Sequence, residues 1–497
     1  MTRAAPLFTE AEWDFATLDR VYKAIEEIAL DELKLEVYPN QIEVISSEQM
    51  LDAYSSLAMP LMYNHWSFGK LFAREETLYR GGYTALAYEI VINSSPCISY
   101  LLEENTMTMQ ALVIAHAAFG HNHFFKNNYL FRQWTNAEGI LDYLAFAKGY
   151  VAACEDRYGR DEVEAVLDSA HALMDQGVFR YRRPPRPSRE RTLEKHRKRR
   201  QYEEEAYSEL WRTLPAGVAA PAAPPIPDPE DDDDDMKLPE ENLLYFFEKY
   251  SPGLRGWQRE ILRIVRTLAQ YFYPQKQTKV MNEGCATFVH HAIMNRLYDK
   301  GLIGEGVLLE FLHSHTSVVF QPEFDDRRYN GINPYALGYG MMADIKRICE
   351  EPTDEDRDWF PAFAGNTDYM SVLKEAWTNY RDESFIEQFL SPKVMRDLRL
   401  FALHDRAADP AYRVSVIHNE DGYRGLRTTL ARQYDVGIAE PNIQVADADL
   451  QGDRSLLLHH HMHRGVPLHE QTKNHMLAHI ERLWGHEVGF DEIEADL

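Results

Sequence analysis

The sequence has few cysteines and no long apolar run, and each absence excludes a class of protein. A transmembrane helix needs about 20 consecutive apolar residues, and no such run occurs. The opening MTRAAPLFTEAEWDF also lacks the apolar core of a secretory signal. The four cysteines form no CxxC pair, which excludes a disulfide framework and a zinc finger. We therefore expect a cytoplasmic protein with reduced thiols at Cys97, Cys154, Cys285 and Cys349.

Positive charge is also scarce, because 53 lysines and arginines face 79 acidic residues. The resulting net charge of −26 argues against nucleic acid and anionic membranes as partners. The sequence contains no glycine-rich phosphate loop, no GxSxG elbow and no protein-kinase signature. Hydrophobic residues make up 45% of the chain, which is enough for a large buried core.

Apolar residues recur at helical spacing along most of the chain, which predicts a mainly α fold. We expect a large helical domain in two parts, 1–178 and 241–405, separated by a charged, low-complexity insertion at 179–240. Residues 408–497 predict a small C-terminal α+β domain with the order strand–helix–strand–strand–helix. The segment YEIVINSSP predicts a strand at 88–96. Helices are predicted at 11–35, 41–59, 106–126, 135–176, 304–314, 333–351 and 369–404.

The stretch ALVIAHAAFGHNHFFKNN carries three histidines on a predicted apolar helix. His116 and His121 are five residues apart, which separates them by about 140° on an ideal α-helix. A one-residue π-bulge near Gly120 would bring these two together, whereas a regular helix would pair His116 with His123. The first arrangement is favoured, because π-bulges often occur at functional sites.

A second apolar helix, KVMNEGCATFVHH, carries a glutamate and an imidazole on one face. Glu283 and His290 are seven residues apart and therefore point the same way. Two histidines on one helix and a glutamate on another form the plan of a helical metal site. We predict that His116, His121 and Glu283 bind a divalent metal, expected to be zinc, in a zincin-like helical core. The zincin motif HExxH is absent, so the usual general base is missing.

Other residues are candidates for completing the site. Glu89 and Glu104 are the nearest carboxylates that could replace the base. In an extended HSHTSVVFQP segment, His313 and His315 would share one side, and His315 could act as a ligand or, like Asn282, orient one. The YNHWSFGK segment, 63–70, could line a pocket. His459 and His461 alternate on a predicted strand, where exposed positions are favoured over a metal site.

Several long segments together resemble the SpoVR (stage V sporulation protein R) family. The resemblance covers about 1–490, and His116, His121, His290, His315 and the NEG triplet at 282–284 fall on motif positions. Relatives usually have tryptophan where this chain has Cys285. The segments that carry the resemblance are YNHWSFGK, YEIVINSSPCISYLLEENT, IAHAAFGHNHFFKNN, GWQREILRIVRTLAQYFYPQKQTKVMNEGCATF and GINPYALGYGMMADI.

The resemblance implies a link to the spore cortex, a peptidoglycan layer, in spore formers, and to stress or stationary-phase physiology elsewhere. It also implies a PrkA-type serine kinase and a von Willebrand-domain protein as partners. Two functions follow as hypotheses. One is a metal-dependent hydrolase of amide bonds with a degenerate gluzincin-like site, in which His290 and His315 act as catalytic groups. The other is a non-catalytic scaffold for the kinase.

Overall fold

Helices dominate the protein, and short strands form three small sheets. The computed structural model describes residues 5–55, 62–80, 88–180, 238–323, 326–400, 403–404, 413–414 and 420–494. The predicted mainly α fold with a small C-terminal sheet domain is confirmed. None of the described helices has both the length and the apolar character needed to cross a membrane.

Helices of the N-terminal half follow the predicted apolar segments closely. The predicted helix at 11–35 extends over Phe15–Glu27 and continues as a π-helix over Ile28–Glu32. Thr106 caps the helix that begins at Met107, where its side chain accepts a hydrogen bond from the backbone N–H of Met109 (3.2 Å). The remaining helices and helical turns before the insertion are Ser47–Ser55, Trp66–Arg80, Met107–Val113, Ile114–His121 (π), Asn122–Asn127, Tyr129–Trp134, Ile140–Tyr158, Arg160–Ala172 and Met174–Gln176 (3-10).

The second half contains a buried helix, Lys279–Asp299, that packs against helices from both halves of the chain. The others are Leu243–Tyr250, Gly256–Gln277, Glu305–Val318, Pro334–Glu350, Asp354–Trp359, Tyr369–Asn379, Asp382–Phe389, Pro392–Asp397, Glu420–Gln433, Val436–Ala439, His463–Gly465 (3-10) and Glu470–Trp484.

The first sheet corrects the predicted helix at 41–59. Strand β1 (Asn40–Ile45) occupies its first part, and helix Ser47–Ser55 follows. β1 pairs in parallel with β3 (Cys97–Leu102), and β2 (Glu89–Ile92) pairs with β3 in antiparallel fashion. The strand predicted at 88–96 is therefore confirmed. The NQIEVI segment is a strand because it pairs with β3. This partner is distant in sequence, so a local helical pattern does not reveal it.

The C-terminal sheet has the order β6 (Asn442–Ala448), β7 (Leu456–Met462) and β8 (Val488–Glu494). β6 and β7 pair in antiparallel fashion, as their short polar connection predicts. β8 was not predicted, and it pairs in parallel with β7 after the closing helix Glu470–Trp484. A two-residue pair, β4 (Leu403–His404) and β5 (Arg413–Val414), precedes this sheet. The predicted domain boundaries stay predictions, and most of the insertion, 181–237, lies outside the described residues.

The core around the predicted site is formed by three helical segments in close contact. We call Met107–Asn127 the histidine helix, Lys279–Asp299 the NEG helix and Pro334–Glu350 the crossing helix. The NEG helix packs against both of the others, and most of its side chains are buried. Two glycine contacts set the spacing. A Cβ atom on Gly284 would lie 2.6 Å from Cα of Gly338, and one on Gly120 would lie 2.5 Å from Cα of Ala286.

The start of the NEG helix is fixed by a buried carboxylate from another helix. Asp382 accepts hydrogen bonds from the backbone N–H groups of Val280 and Met281, both at 2.8 Å. N–H groups of a helix's first turn have no partner within the helix, so this carboxylate satisfies them. The helix that carries Glu283 therefore has a fixed axial position as well as a fixed spacing.

Replacing Gly284 with alanine is expected to destabilise the protein by roughly 1–3 kcal/mol, because the added methyl group meets backbone atoms that cannot rotate away. Gly149→Ala is a matched control within a helix, since its Cβ would meet nothing within 4 Å. The control is expected to stabilise the protein by roughly 0.5–1 kcal/mol. Chemical denaturation measures both changes, and equal effects of the two substitutions would contradict the close-contact explanation.

Candidate metal centre

His116 and His121 are brought together by a π-helical segment. Ile114–His121 is π-helical, so residues five apart lie about one turn apart. The two imidazole rings are perpendicular, with centroids 4.6 Å apart. His123 lies elsewhere, and its Nδ1 accepts a hydrogen bond from the backbone N–H of Glu36 (3.0 Å). The π geometry predicted from the five-residue spacing is therefore present, and the His116–His123 pairing is wrong.

Glu283 projects from the NEG helix toward both imidazoles. Its Oε2 lies 3.6 Å from Nε2 of His121 and 3.8 Å from Nε2 of His116. This oxygen is buried and has no hydrogen-bond partner among the described residues. A buried carboxylate oxygen without a hydrogen bond is costly unless a cation neutralises it. Its position therefore fits a metal ligand.

Glu89 adds a second carboxylate from β2. Its Oε1 lies 3.7 Å from Nε2 of His116. Ligand atoms of Glu89, His116 and His121 all lie within 4.8 Å of one another, and no other described residues form such a group of three. Sequence reasoning named Glu89 as a candidate base and not as a ligand. Glu104 lies outside this group, where it is exposed and accepts a hydrogen bond from Ser47 (2.8 Å).

Asn282 determines which nitrogen of His121 faces the carboxylates. His121 Nδ1 donates to the side-chain oxygen of Asn282 at 2.9 Å. A neutral imidazole with its proton on Nδ1 carries its lone pair on Nε2, which points toward Glu283. Fixing the tautomer in this way is how neighbouring groups prepare histidine to bind a metal.

His116 contacts both Glu283 and His290, the two residues that share one face of the NEG helix. Its Nε2 faces the carboxylates, and its Nδ1 is 2.9 Å from Nδ1 of His290. His290 Nε2 is in turn 3.0 Å from Nδ1 of His315. If His116 keeps its proton on Nδ1, each ring donates to the next, and the Nε2 lone pair of His116 faces Glu89 and Glu283.

His315 lies on helix Glu305–Val318, which corrects the extended HSHTSVVFQP segment. On this helix His315 is buried and His313 is exposed, so the two do not share a side. His291 packs against His315, with ring centroids 4.8 Å apart. Tyr335 was not predicted as a site residue, although its side chain hydrogen-bonds Glu283 and its ring lies 6.4 Å from His116.

The two carboxyl groups have pKa values shifted in opposite directions. Burial raises the pKa of Glu89, and the nearby charge of Glu283 adds to this effect. Burial also acts to raise the pKa of Glu283, but His121 and His116 outweigh it, so this pKa lies below its usual value. A pair of carboxyl groups separated in this way is typical of sites where one acts as an anion and the other as an acid or base.

Burial lowers the pKa of an imidazole, because it disfavours the charged form. It lowers the pKa of His121 and His315 to about 4, and it holds the pKa of His290 well below its usual value. His116 is the exception, because its two carboxylate neighbours outweigh burial and raise its pKa. Neutral imidazoles are the form that binds metal.

The C-terminal histidines form no comparable group. His459 and His461 have ring centroids 6.4 Å apart on β7, and His459 Nε2 lies 4.0 Å from the Asp491 carboxylate.

The donor set that fits a divalent ion consists of two imidazole nitrogens and two carboxylates from the histidine helix, the NEG helix and β2. Mixed nitrogen and oxygen ligands of this kind suit zinc or a related transition ion.

Comparisons with known proteins cover nearly the whole chain. The family model described as SpoVR like protein matches residues 12–439, and the SpoVR-like C-terminal domain model matches residues 441–495. The chain is 53% identical over 489 residues to "Uncharacterized protein YcgB" from Escherichia coli (strain K12), which covers 98% of this chain and 93% of that protein. No solved structure matches the chain.

The raised pKa of Glu89 predicts a pH-dependent effect of Glu89→Gln on metal-free protein. A carboxyl group whose pKa rises on folding contributes stability below its unfolded pKa, and this contribution is lost as pH rises through the folded value. The variant is therefore expected to be more stable than the original chain at pH 8, with a smaller difference near pH 4. Urea denaturation at both pH values measures the difference.

Glu104→Gln provides the matched control, because it removes an exposed carboxylate away from the group. A difference between Glu89→Gln and the original chain that stays constant from pH 4 to pH 8 would contradict the assignment of a raised pKa to Glu89.

Proposed function

The chain belongs to the SpoVR family, and on that premise we propose that it is a divalent-metal protein that hydrolyses an amide bond. The observation that carries the proposal is the position of Oε2 of Glu283. This buried oxygen has no hydrogen-bond partner in the described part of the chain and lies within 3.8 Å of two imidazole Nε2 atoms. His116, His121 and Glu283 would hold the ion, and zinc fits this donor set.

Each neighbouring residue has a definite task under this proposal. Asn282 fixes the tautomer of His121, while His290 and His315 fix that of His116 through the line of imidazoles. Tyr335 hydrogen-bonds Glu283. These contacts hold the ligand atoms toward a common centre before any ion arrives, which is the role of residues around a metal site.

Glu89 supplies the general base that the missing HExxH motif would otherwise provide. Its carboxyl group lies beside His116 but on a different element from the three ligands, and its pKa is raised. A carboxyl group with a raised pKa is suited to taking a proton from the attacking water and returning it to the leaving amine. A divalent ion held beside it would polarise the substrate carbonyl and lower the pKa of water.

The family's link to the spore cortex favours a peptide or peptidoglycan fragment as the substrate class. The zincin-like character of the helical core belongs to the same proposal, since two histidines and a glutamate from separate helices also occur in gluzincins. A non-catalytic scaffold for a PrkA-type kinase is the competing function, and the experiments below distinguish the two.

Native protein purified without chelators is expected to contain about one divalent ion per chain. Glu283→Ala and His121→Ala are expected to abolish this content, because each removes a ligand. Asn282→Ala is expected to weaken affinity by roughly 10–100-fold, since it releases the tautomer of His121. Elemental analysis and competition with a chromophoric chelator measure both effects.

His313→Ala is the matched control for metal binding, because His313 is exposed on helix Glu305–Val318 and points away from the group. Metal content that is absent from folded native protein, or equal in Glu283→Ala and His313→Ala, would refute the metal centre. Folded, metal-free protein that binds the kinase would instead support the scaffold.

The Glu89→Gln variant tests whether Glu89 acts as a general base or as a fourth metal ligand. If Glu89 is the base, the variant keeps its metal and loses at least about a hundredfold of the hydrolytic rate. The rate is measured as new amine groups released from defined muropeptides and peptides. Loss of the ion together with the rate would make Glu89 a ligand and the centre a closed, structural one.

A further inference from the structure

A second histidine cluster lies outside the metal centre, in the YNHWSFGK segment at 63–70. Here the start of helix Trp66–Arg80 packs beside helix Arg160–Ala172. Tyr63 and His65 are buried, and the Tyr63 hydroxyl donates to Nε2 of His171 at 2.6 Å. None of these residues takes part in the metal centre, so their arrangement needs a separate explanation.

Three side chains of this cluster form a continuous line of polar contacts. Ser67 Oγ donates to Nδ1 of His65 at 2.6 Å. On the other side of the ring, His65 Nε2 lies 3.2 Å from Oδ1 of Asp168, a close charge contact that is not aligned as a hydrogen bond. A hydroxyl, an imidazole and a carboxylate in this order form the unit that activates serine in acyl transfer.

Neighbouring groups fix the orientation of Asp168 and the tautomer of His65. Trp66 Nε1–H donates to the same Asp168 oxygen at 2.7 Å, which fixes the carboxylate. The His171 ring meets the edge of the His65 ring, with centroids 4.6 Å apart. Burial lowers the pKa of His65 even though Asp168 opposes this, so the ring is neutral near pH 7. Its proton then sits on Nε2, and Nδ1 is free to accept the proton of Ser67.

Part of the cluster is exposed in the described structure. Ser67 is half-buried, and the indole of Trp66 is 48% exposed. The ring of Phe68 packs near His65 at a centroid distance of 5.8 Å. These aromatic rings beside Ser67 favour an apolar or aromatic ester as the substrate.

We propose that Ser67, His65 and Asp168 form a second catalytic site, independent of the metal centre, that hydrolyses small carboxylic esters. Ser67 Oγ bonds to the ester carbonyl carbon while His65 Nδ1 takes the hydroxyl proton. The bond to the alcohol oxygen breaks, and that oxygen receives the proton from His65. Water then releases the acid from Ser67 by the same route in reverse. Asp168 is a positioning residue that keeps the proton of His65 on Nε2.

The competing explanation is local helix capping, because Ser67 follows His65 by two residues and its backbone N–H also approaches Nδ1 (3.3 Å). Capping accounts for the contact between His65 and Ser67. It does not account for a carboxylate from another helix at the opposite nitrogen, since a cap needs no such partner. The two explanations differ in the reactivity that they predict for Ser67.

A fluorophosphonate probe and p-nitrophenyl acetate test the reactivity of the full-length protein. We expect the probe to form an adduct at Ser67, displacing fluoride, and the ester to give an acetylated chain visible by intact-protein mass spectrometry. Ser67→Ala is expected to abolish both, and His65→Ala to slow both by at least about a hundredfold. Added imidazole is expected to restore part of the His65→Ala rate, which a purely structural role would not produce.

Ser169→Ala is the matched control, because Ser169 Oγ also lies near a histidine (3.1 Å from Nδ1 of His479) but is fully buried. It should keep the reactivity. Asp168→Asn should lower the rate and Asp168→Glu should restore part of it. Absence of an adduct in folded protein, or an adduct that persists in Ser67→Ala, would overturn the proposal whatever the metal analysis gives.

Discussion

Backbone contact between the NEG helix and its two neighbours is the constraint on which the metal centre depends. Gly284 meets Gly338 of the crossing helix, and Gly120 of the histidine helix meets Ala286. Because Gly284, Gly338 and Gly120 have no Cβ atom, the helix backbones come closer at these points than a larger side chain would allow. The Glu283 carboxylate can then come within 3.8 Å of the Nε2 atoms of both His116 and His121.

The same closeness explains the electrostatics of the group. Glu89 and Glu283 are both removed from water, which alone would favour their neutral forms. Glu283 stays ionised because two imidazoles face it, whereas Glu89 has only His116 beside it and lies near a like charge. The difference between the two pKa shifts therefore comes from the neighbours of each group and not from burial: two imidazoles and Tyr335 lower the pKa of Glu283, whereas the charge of Glu283 raises that of Glu89.

The sequence was sufficient to predict the parts of the site that a helix positions by itself. A five-residue spacing with Gly120 between the histidines predicts the π-helical turn, and a seven-residue spacing places Glu283 and His290 on one face. Glu89 could be named as a nearby carboxylate, but its approach to His116 depends on how β2 packs against the histidine helix. That packing is a long-range contact, and no local pattern records it.

The errors have the same physical origin. β1 was predicted as a helix from its local periodicity, but strand pairing with β3 overrides that periodicity. The segment with His313 and His315 was predicted as extended from its alternating histidines, yet helix Glu305–Val318 continues through it and buries only His315. Tyr335 lies in the GINPYALGYGMMADI segment, but its contact with Glu283 depends on the long-range approach of Gly284 to Gly338, which the segment itself does not reveal.

The two histidine clusters of this chain differ in the group that holds the far side of the imidazole, and this difference decides their chemistry. His121 donates to the neutral amide oxygen of Asn282, which leaves an Nε2 lone pair without added negative charge, suited to an ion already neutralised by carboxylates. His65 faces the charged Asp168, which favours an imidazole that gains a proton at Nδ1, as a general base must. Under the two proposals, one residue type serves two kinds of site, and the partner on the opposite nitrogen distinguishes them.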